Sequence, residues 1–218
     1  MLRSLLLISL LVSTSVFAQK VDLDNEILSQ PELQSLIGQM PKTGSAEEAQ
    51  DFKVLLQVQQ FRTAQDCAIA AKEADTSIET MFGGDQKILT DAEVSKMKTF
   101  LFKAYVNVGL NIYRAKNLFK RPRPYVTNPN IKPCIALESS YAYPSGHTMM
   151  VRLYARILSK VFPEREQLFL QRATQYSLNR VIGGVHHPSD IAAGNVVADY
   201  LAGKMIEKEG FMKAMDSL

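Results

Sequence analysis

The sequence predicts an all-α fold, a single-domain helical bundle, and three observations predict it. Apolar residues recur at three- and four-residue spacing over long stretches, Ser and Thr caps with an acid three positions on open two of those stretches, and the strand-type alternation of period two is weak throughout. With 218 residues, 46% of them hydrophobic and 22% charged, the chain can fill one core and is short for two.

Residues 1–18 are expected to stand outside that core. Arg3 gives a positive start, "LLLISLLV" an apolar stretch, and "VFA" a small-residue cleavage site before Gln19, the pattern of a secretory signal peptide. The stretch is short and broken by Ser4, Ser9, Ser13 and Ser15, which argues against a membrane anchor. Residues 19–218 are then one exported domain, periplasmic or secreted. No later segment approaches the ~20 apolar residues that a bilayer crossing needs, so no transmembrane segment is expected after signal removal. The 25 Lys and Arg, one of them Arg3, stand against 22 Asp and Glu, a near balance that gives no case for a nucleic-acid partner. A homo-oligomer is compatible with this composition.

A short helical pattern covers Asn25 to Gln39. "SAEE" (Ser45 to Glu48) is a capping box that opens a run from Ala46 towards Met81, one long helix or two in series, ended by Gly83-Gly84. "TDAE" (Thr90 to Glu93) opens a second long helix carrying Met97, Phe100, Leu101, Ala104, Tyr105, Val108 and Ile112 on one side; it should stop before "RPRP", where Pro122 and Pro124 each restrict the residue ahead of them. From Pro122 to Tyr143 the pattern predicts a loop of about twenty residues, a length that usually marks function or disorder. Three helices follow, from near Ser145 to before Pro163, from Pro163 to about Val181, and from Pro188 to about Lys208, making six or so in all. Cys67 and Cys134 are an even pair in a chain read as exported, and a disulfide between them is expected.

Three clusters could carry chemistry. In "YPSGHTMM" a Pro-Ser-Gly turn runs into an amphipathic segment, placing the amides of Ser145, Gly146 and His147 at a helix N-terminus, where free donors and the helix dipole attract anions. "NRVIGGVHHPSD" has Arg180 in the last turn of one helix and His186 and His187 ahead of the next. His186 is four residues from Asp190 and His187 three, so either imidazole can reach the carboxylate, and local spacing does not choose between them. "AKNLFKRPRPY" puts Lys116, Lys120, Arg121 and Arg123 within eight residues; a basic helix end accounts for one or two of these cations but not four, and Arg forks bind tetrahedral oxyanions bidentately. Cations, an anion nest and two separated histidine sites are what phosphoryl transfer through a histidine needs: donors around the equatorial oxygens, a nucleophile, and an acid for the leaving oxygen.

Taken in order, Lys116, six residues, Arg123-Pro124; "PSGH" at Pro144 to His147; and Arg180, five residues, His186, three residues, Asp190 resemble the three-part signature of the type 2 phosphatidic acid phosphatase superfamily, whose soluble exported branch is the class A bacterial nonspecific acid phosphatases. "PKTGS" ahead of the first long helix also resembles that branch. The resemblance implies a helical bundle of the acid phosphatase and vanadium haloperoxidase type, with a phosphomonoester as small-molecule partner and no metal or other cofactor. Its register implies that His186 is the nucleophile, forming a phosphohistidine, with Asp190 orienting it and His147 as general acid. It implies Lys116, Arg123, Ser145, Gly146 and Arg180 as phosphate ligands, leaves His187 as a pocket-wall or capping residue, and assigns nothing to Arg121. One position departs: Asn179 stands where the family usually has Ser, which bears on substrate fit more than on activity. Two other outcomes are a vanadium-dependent haloperoxidase, whose site is similar, and a noncatalytic phosphate-binding envelope protein, which would not require both histidines.

Overall fold

The helix that begins at the Pro-Ser-Gly turn is the pivot of the fold. In the computed structural model, which describes residues 27–216, ten α-helices and two short 3-10 turns make up the regular structure of the described residues. The segment expected to be a signal peptide lies outside them. Helix α7 (Gly146–Val161) buries Met149, Met150, Val151, Leu153, Tyr154, Ala155, Ile157 and Leu158, so most of its circumference is apolar, with Arg152, Arg156 and Lys160 on the remaining stripe. Such a helix must be enclosed on several sides. It is flanked by α5 (Asp91–Phe119), α8 (Glu166–Ile182) and α9 (Pro188–Ile206). Helix α5 is 29 residues long, about 44 Å at the usual rise, and opens on the Thr90–Glu93 capping box expected for it. Its buried face carries Met97, Phe100, Leu101, Ala104 and Val108 into the core beside Phe169 and Tyr176 of α8 and Val197 and Leu201 of α9.

The run from Ala46 towards Met81 is three helices, more than its apolar period suggests: α2 (Ala46–Phe61), α3 (Ala64–Lys72) and α4 (Ile78–Phe82). The cause is local capping inside the run. Thr63 accepts from the amide of Asp66 while the Asp66 carboxylate accepts from the amide of Thr63, and Ser77 caps Thr80. These bonds offer the backbone an alternative to continuing the helix. Helix α1 (Gln30–Ile37) is shorter than its pattern, α8 starts after a 3-10 turn at Pro163–Arg165, and α9 stops at Ile206, with a separate α10 (Glu209–Asp216) after it that seats Phe211 against Phe100. The segment expected as a loop holds one helical turn, α6 (Pro124–Thr127), where Pro124 takes the first-turn position.

Cys67 of α3 and Cys134 of this segment are bridged, with Cα atoms 5.8 Å apart. The Cys134 amide also donates to the Gly183 carbonyl (3.1 Å), and Arg62 donates to Ile182 (2.7 Å) and to the Lys132 carbonyl. The base of the loop is thereby fixed to α3 and to the end of α8. Among the described residues, no helix is long and apolar enough to cross a membrane.

Candidate active site

Four helix ends and one loop meet at a single buried point. Pro188 opens α9, His187 occupies its N-cap, and Asp190 in the first turn accepts from the His187 amide at 2.8 Å. The same carboxylate oxygen lies 3.1 Å from Nδ1 of both His186 and His187. The other oxygen accepts from Arg121 Nη1 at 2.6 Å. Burial works against a charged Asp190, but the hydrogen bonds from His186 and His187 outweigh it and hold its pKa well below the carboxylate range.

The two histidines differ in what their second nitrogen meets. His186 Nε2 is 2.9 Å from Arg123 Nη1. A guanidinium can only donate, so this nitrogen is the acceptor, and the proton of the neutral ring sits on Nδ1 facing Asp190. Burial, then Arg123, pushes the His186 pKa down to about 3 against the pull of Asp190, which leaves the ring neutral with a lone pair on Nε2. His187 Nε2 is buried with no hydrogen-bond partner among the described residues, and its ring packs edge-on to Phe52 at 5.5 Å between centroids. His187 is thus a capping and packing residue, as the resemblance left it.

Ser145 caps α7: its hydroxyl accepts from the Thr148 amide (3.4 Å) and its own amide donates to the Asp190 carbonyl (3.0 Å). The anion nest is therefore narrower than the three amides expected. The amides available to a ligand are those of Gly146 and His147, first-turn positions with no acceptor inside the helix. A Cβ on Gly146 would lie 3.1 Å from Ile112 Cγ2, and one on Gly194 would lie 2.9 Å from the Ser145 carbonyl oxygen, so α5 and α9 both press on this helix start. His147 Nε2 is 3.2 Å from the Ala74 carbonyl, and burial, then Arg180, lowers its pKa to about 4. A separate groove of about 300 Å³ is lined by residues from Asp75 to Glu79 and by Met150 and Tyr154 of α7, and none of the site residues above lines it.

The cations converge from opposite sides. Arg123 is 3% exposed and is anchored by Ser140 O (2.8 Å), Ser140 Oγ (3.0 Å) and Val185 O (2.9 Å). Arg180, in the last turn of α8, is 1% exposed, and its Nε is buried with no partner among the described residues. Lys116, in the last turn of α5, donates to the Tyr141 carbonyl; burial, then Arg123, lowers its pKa to about 8. Lys120 is exposed at the end of α5 and takes no part.

Of four further residues of this centre, Arg121 was read only as one of the clustered cations, and the other three were not foreseen. Arg121 ties Asp190 to a second buried carboxylate, Asp51 (2.8 Å), which also accepts from the amide (3.0 Å) and hydroxyl of Ser189. The signal for Arg121 was its place in the dense cation cluster; Asp51 and Ser189 had none. The fourth is Glu138, a lone acid in the loop, whose two oxygens accept from Arg123 (2.5 Å) and from Arg180. Asn179 turns to a separate buried network, donating to Glu73 Oε2 at 2.6 Å, and Glu73 pairs with Arg172 at 2.8 Å.

One ligand atom each from Glu138, His147 and His186 lie within 4.8 Å of one another, a spacing that could hold a metal ion. The surrounding charge speaks for an anion instead, because Arg123, Arg180 and Lys116 face the same space. Residues 98–206, half of the chain and all three motifs, match the PAP2 superfamily. The chain belongs to that superfamily. Among PAP2 relatives and acid phosphatases it is 26% identical to a non-specific acid phosphatase of Providencia stuartii, over 94% of this chain and 90% of that one. It is 28% identical to an acid phosphatase of Zymomonas mobilis, over 72% of this chain but only 63% of the relative. A solved transmembrane PAP2-type phosphatidylglycerolphosphate phosphatase from Bacillus subtilis shares the fold, with a TM-score of 0.54 at 17% identity over 79% of this chain and 87% of that one.

Proposed function

We propose that this PAP2 phosphatase is an exported, metal-independent acid phosphatase that hydrolyses phosphomonoesters through a phosphohistidine. The observation that carries the reading is the meeting of His186 and His147, 39 positions apart in sequence, with ring nitrogens within 4.8 Å beside two buried guanidinium groups. Similarity to enzymes named acid phosphatases supports the reaction class.

Arg123, Arg180 and Lys116 neutralise the phosphoryl oxygens, joined by the Gly146 and His147 amides and the Ser145 hydroxyl. His186 Nε2 attacks phosphorus, the N–P bond forming as the bond to the ester oxygen breaks. The electron pair leaves on that oxygen, which takes a proton from His147. Water then attacks phosphorus and gives a proton to His147 as the N–P bond breaks, releasing phosphate and the free imidazole. Asp190 holds the Nδ1 proton throughout and stabilises the charge that the ring acquires. The arriving dianion raises the His147 pKa from about 4, so the acid is charged when substrate is bound and an acid optimum follows.

The test is hydrolysis of p-nitrophenyl phosphate from pH 4 to 8 in EDTA, wild type beside His186→Ala. Activity that resists EDTA, is inhibited by vanadate and disappears in the variant is expected. Activity abolished by EDTA, or retained by the variant, refutes the mechanism.

A further inference from the structure

Glu138 stands in the middle of the cation cluster and has no part in the reaction above. Its two oxygens hold two different guanidinium groups, as two oxygens of a tetrahedral phosphate would, and one of them lies within 4.8 Å of a ring nitrogen of His147 and of one of His186. It does not act alone. Ser140 supplies two acceptors to Arg123, and Tyr141 supplies its carbonyl to Lys116. Residues 138–141 therefore engage all three cations of the cradle.

This stretch is tethered on both sides, on its C-terminal side by the Ala142 amide, which donates to the Arg121 carbonyl at 2.8 Å. Its base is held by the Cys67–Cys134 bridge and the Cys134–Gly183 hydrogen bond. Its tip is held by Glu138 and by the Tyr125 hydroxyl, which donates to the Glu138 carbonyl (2.7 Å) and accepts from the Glu138 amide (3.2 Å). The Glu138 side chain is 23% exposed, while the arginines beneath it are 3% and 1% exposed. The carboxylate thus covers them from the solvent side. Arg123 keeps its bonds to Val185 and His186 when Glu138 leaves, and Arg180 already has an unclaimed Nε donor.

With the phosphatase reading as premise, we propose that Glu138 is a built-in competitor for the phosphoryl site, and that a substrate binds by displacing the strap of residues 138–141. Displacement also selects by charge. A monoanion brings no more charge than the tethered carboxylate it replaces, whereas a monoester dianion adds one unit, so the strap favours monoesters over diesters.

The experiment measures inorganic phosphate binding by calorimetry at pH 7.5 in wild type, Glu138→Gln and Tyr125→Phe, beside their rates on p-nitrophenyl phosphate and bis(p-nitrophenyl) phosphate. If the strap is closed in about nine molecules of ten, releasing it tightens phosphate binding about tenfold. Glu138→Gln is expected to show that gain and a larger share of diester hydrolysis. Tyr125→Phe, which leaves the carboxylate in place, is expected to move phosphate affinity the same way by a smaller factor. A glutamate that only orients the arginines gives the opposite sign: phosphate affinity unchanged or weaker in both variants, with wild type still hydrolysing monoester, overturns the proposal. An unchanged ratio of diester to monoester overturns the charge selection. Failure of wild type and variants alike to bind phosphate or hydrolyse monoester overturns the phosphatase reading with it.

Discussion

Arg121→Met removes the one cation shared by two buried carboxylates, and its consequences can be worked from the contacts. The guanidinium is 3% exposed; it donates to Asp190 at 2.6 Å and to Asp51 at 2.8 Å, whose side chains are 0% and 6% exposed. Breaking a buried pair by deleting one partner costs about 3–5 kcal/mol, because the remaining charge is neither solvated nor paired. Each acid here keeps other donors, Asp190 the His187 amide and two imidazoles, Asp51 the amide and hydroxyl of Ser189, so the low end, about 3 kcal/mol, is expected. Urea unfolding followed by circular dichroism measures it. Adding Asp51→Asn removes one orphaned charge and should restore about 1 kcal/mol, a coupling between contacting residues. Arg121→Lys, which keeps the charge and loses the fork, should fall between. In activity, kcat should drop while KM holds, since Arg121 positions Asp190 rather than touching substrate. A single variant that loses less than about 1 kcal/mol, or a double variant no more stable than the single, refutes the claim that Arg121 compensates both acids.

Stability should fall as pH drops from 7 to 4. His147 and His186 have pKa values lowered to about 4 and about 3 from an ordinary 6.5, so below pH 6.5 the unfolded chain takes up protons that the folded one refuses. Glu138, held near 2 by His186 and Arg123 against its burial, adds loss in the same direction below pH 4.5. Thermal melts across this range check the sign, and a Tm that is flat or rises on acidification would contradict it. Reducing the Cys67–Cys134 bridge, which closes a loop of 67 residues, should cost about 4 kcal/mol on the loop-entropy estimate, read as a shift in urea midpoint with dithiothreitol; no shift would show that the bridge does not constrain the unfolded chain.

Much of the fold and of the cradle is legible in the sequence because it rests on local relations. The Thr90–Glu93 box, the Pro-Ser-Gly turn into α7 and Pro188 at the start of α9 each act within four residues, and each begins a helix where expected. The division of Ala46 to Phe82 into three helices was present too, in Thr63–Asp66 and Ser77–Thr80, but an unbroken apolar period masked it. The Arg180, His186 and Asp190 spacing likewise puts an imidazole on a carboxylate by itself. It cannot say which imidazole, since His186 and His187 both reach Asp190 at 3.1 Å. Only the tertiary structure distinguishes their surroundings, by bringing Arg123, 63 positions away, onto His186 Nε2 and leaving His187 against Phe52. The same holds for Arg121 on Asp51 and for Glu138 between two arginines. Caps and helical faces are set by neighbours along the chain, whereas charge compensation in a buried site is set by whichever groups packing brings together, and no period or spacing encodes that.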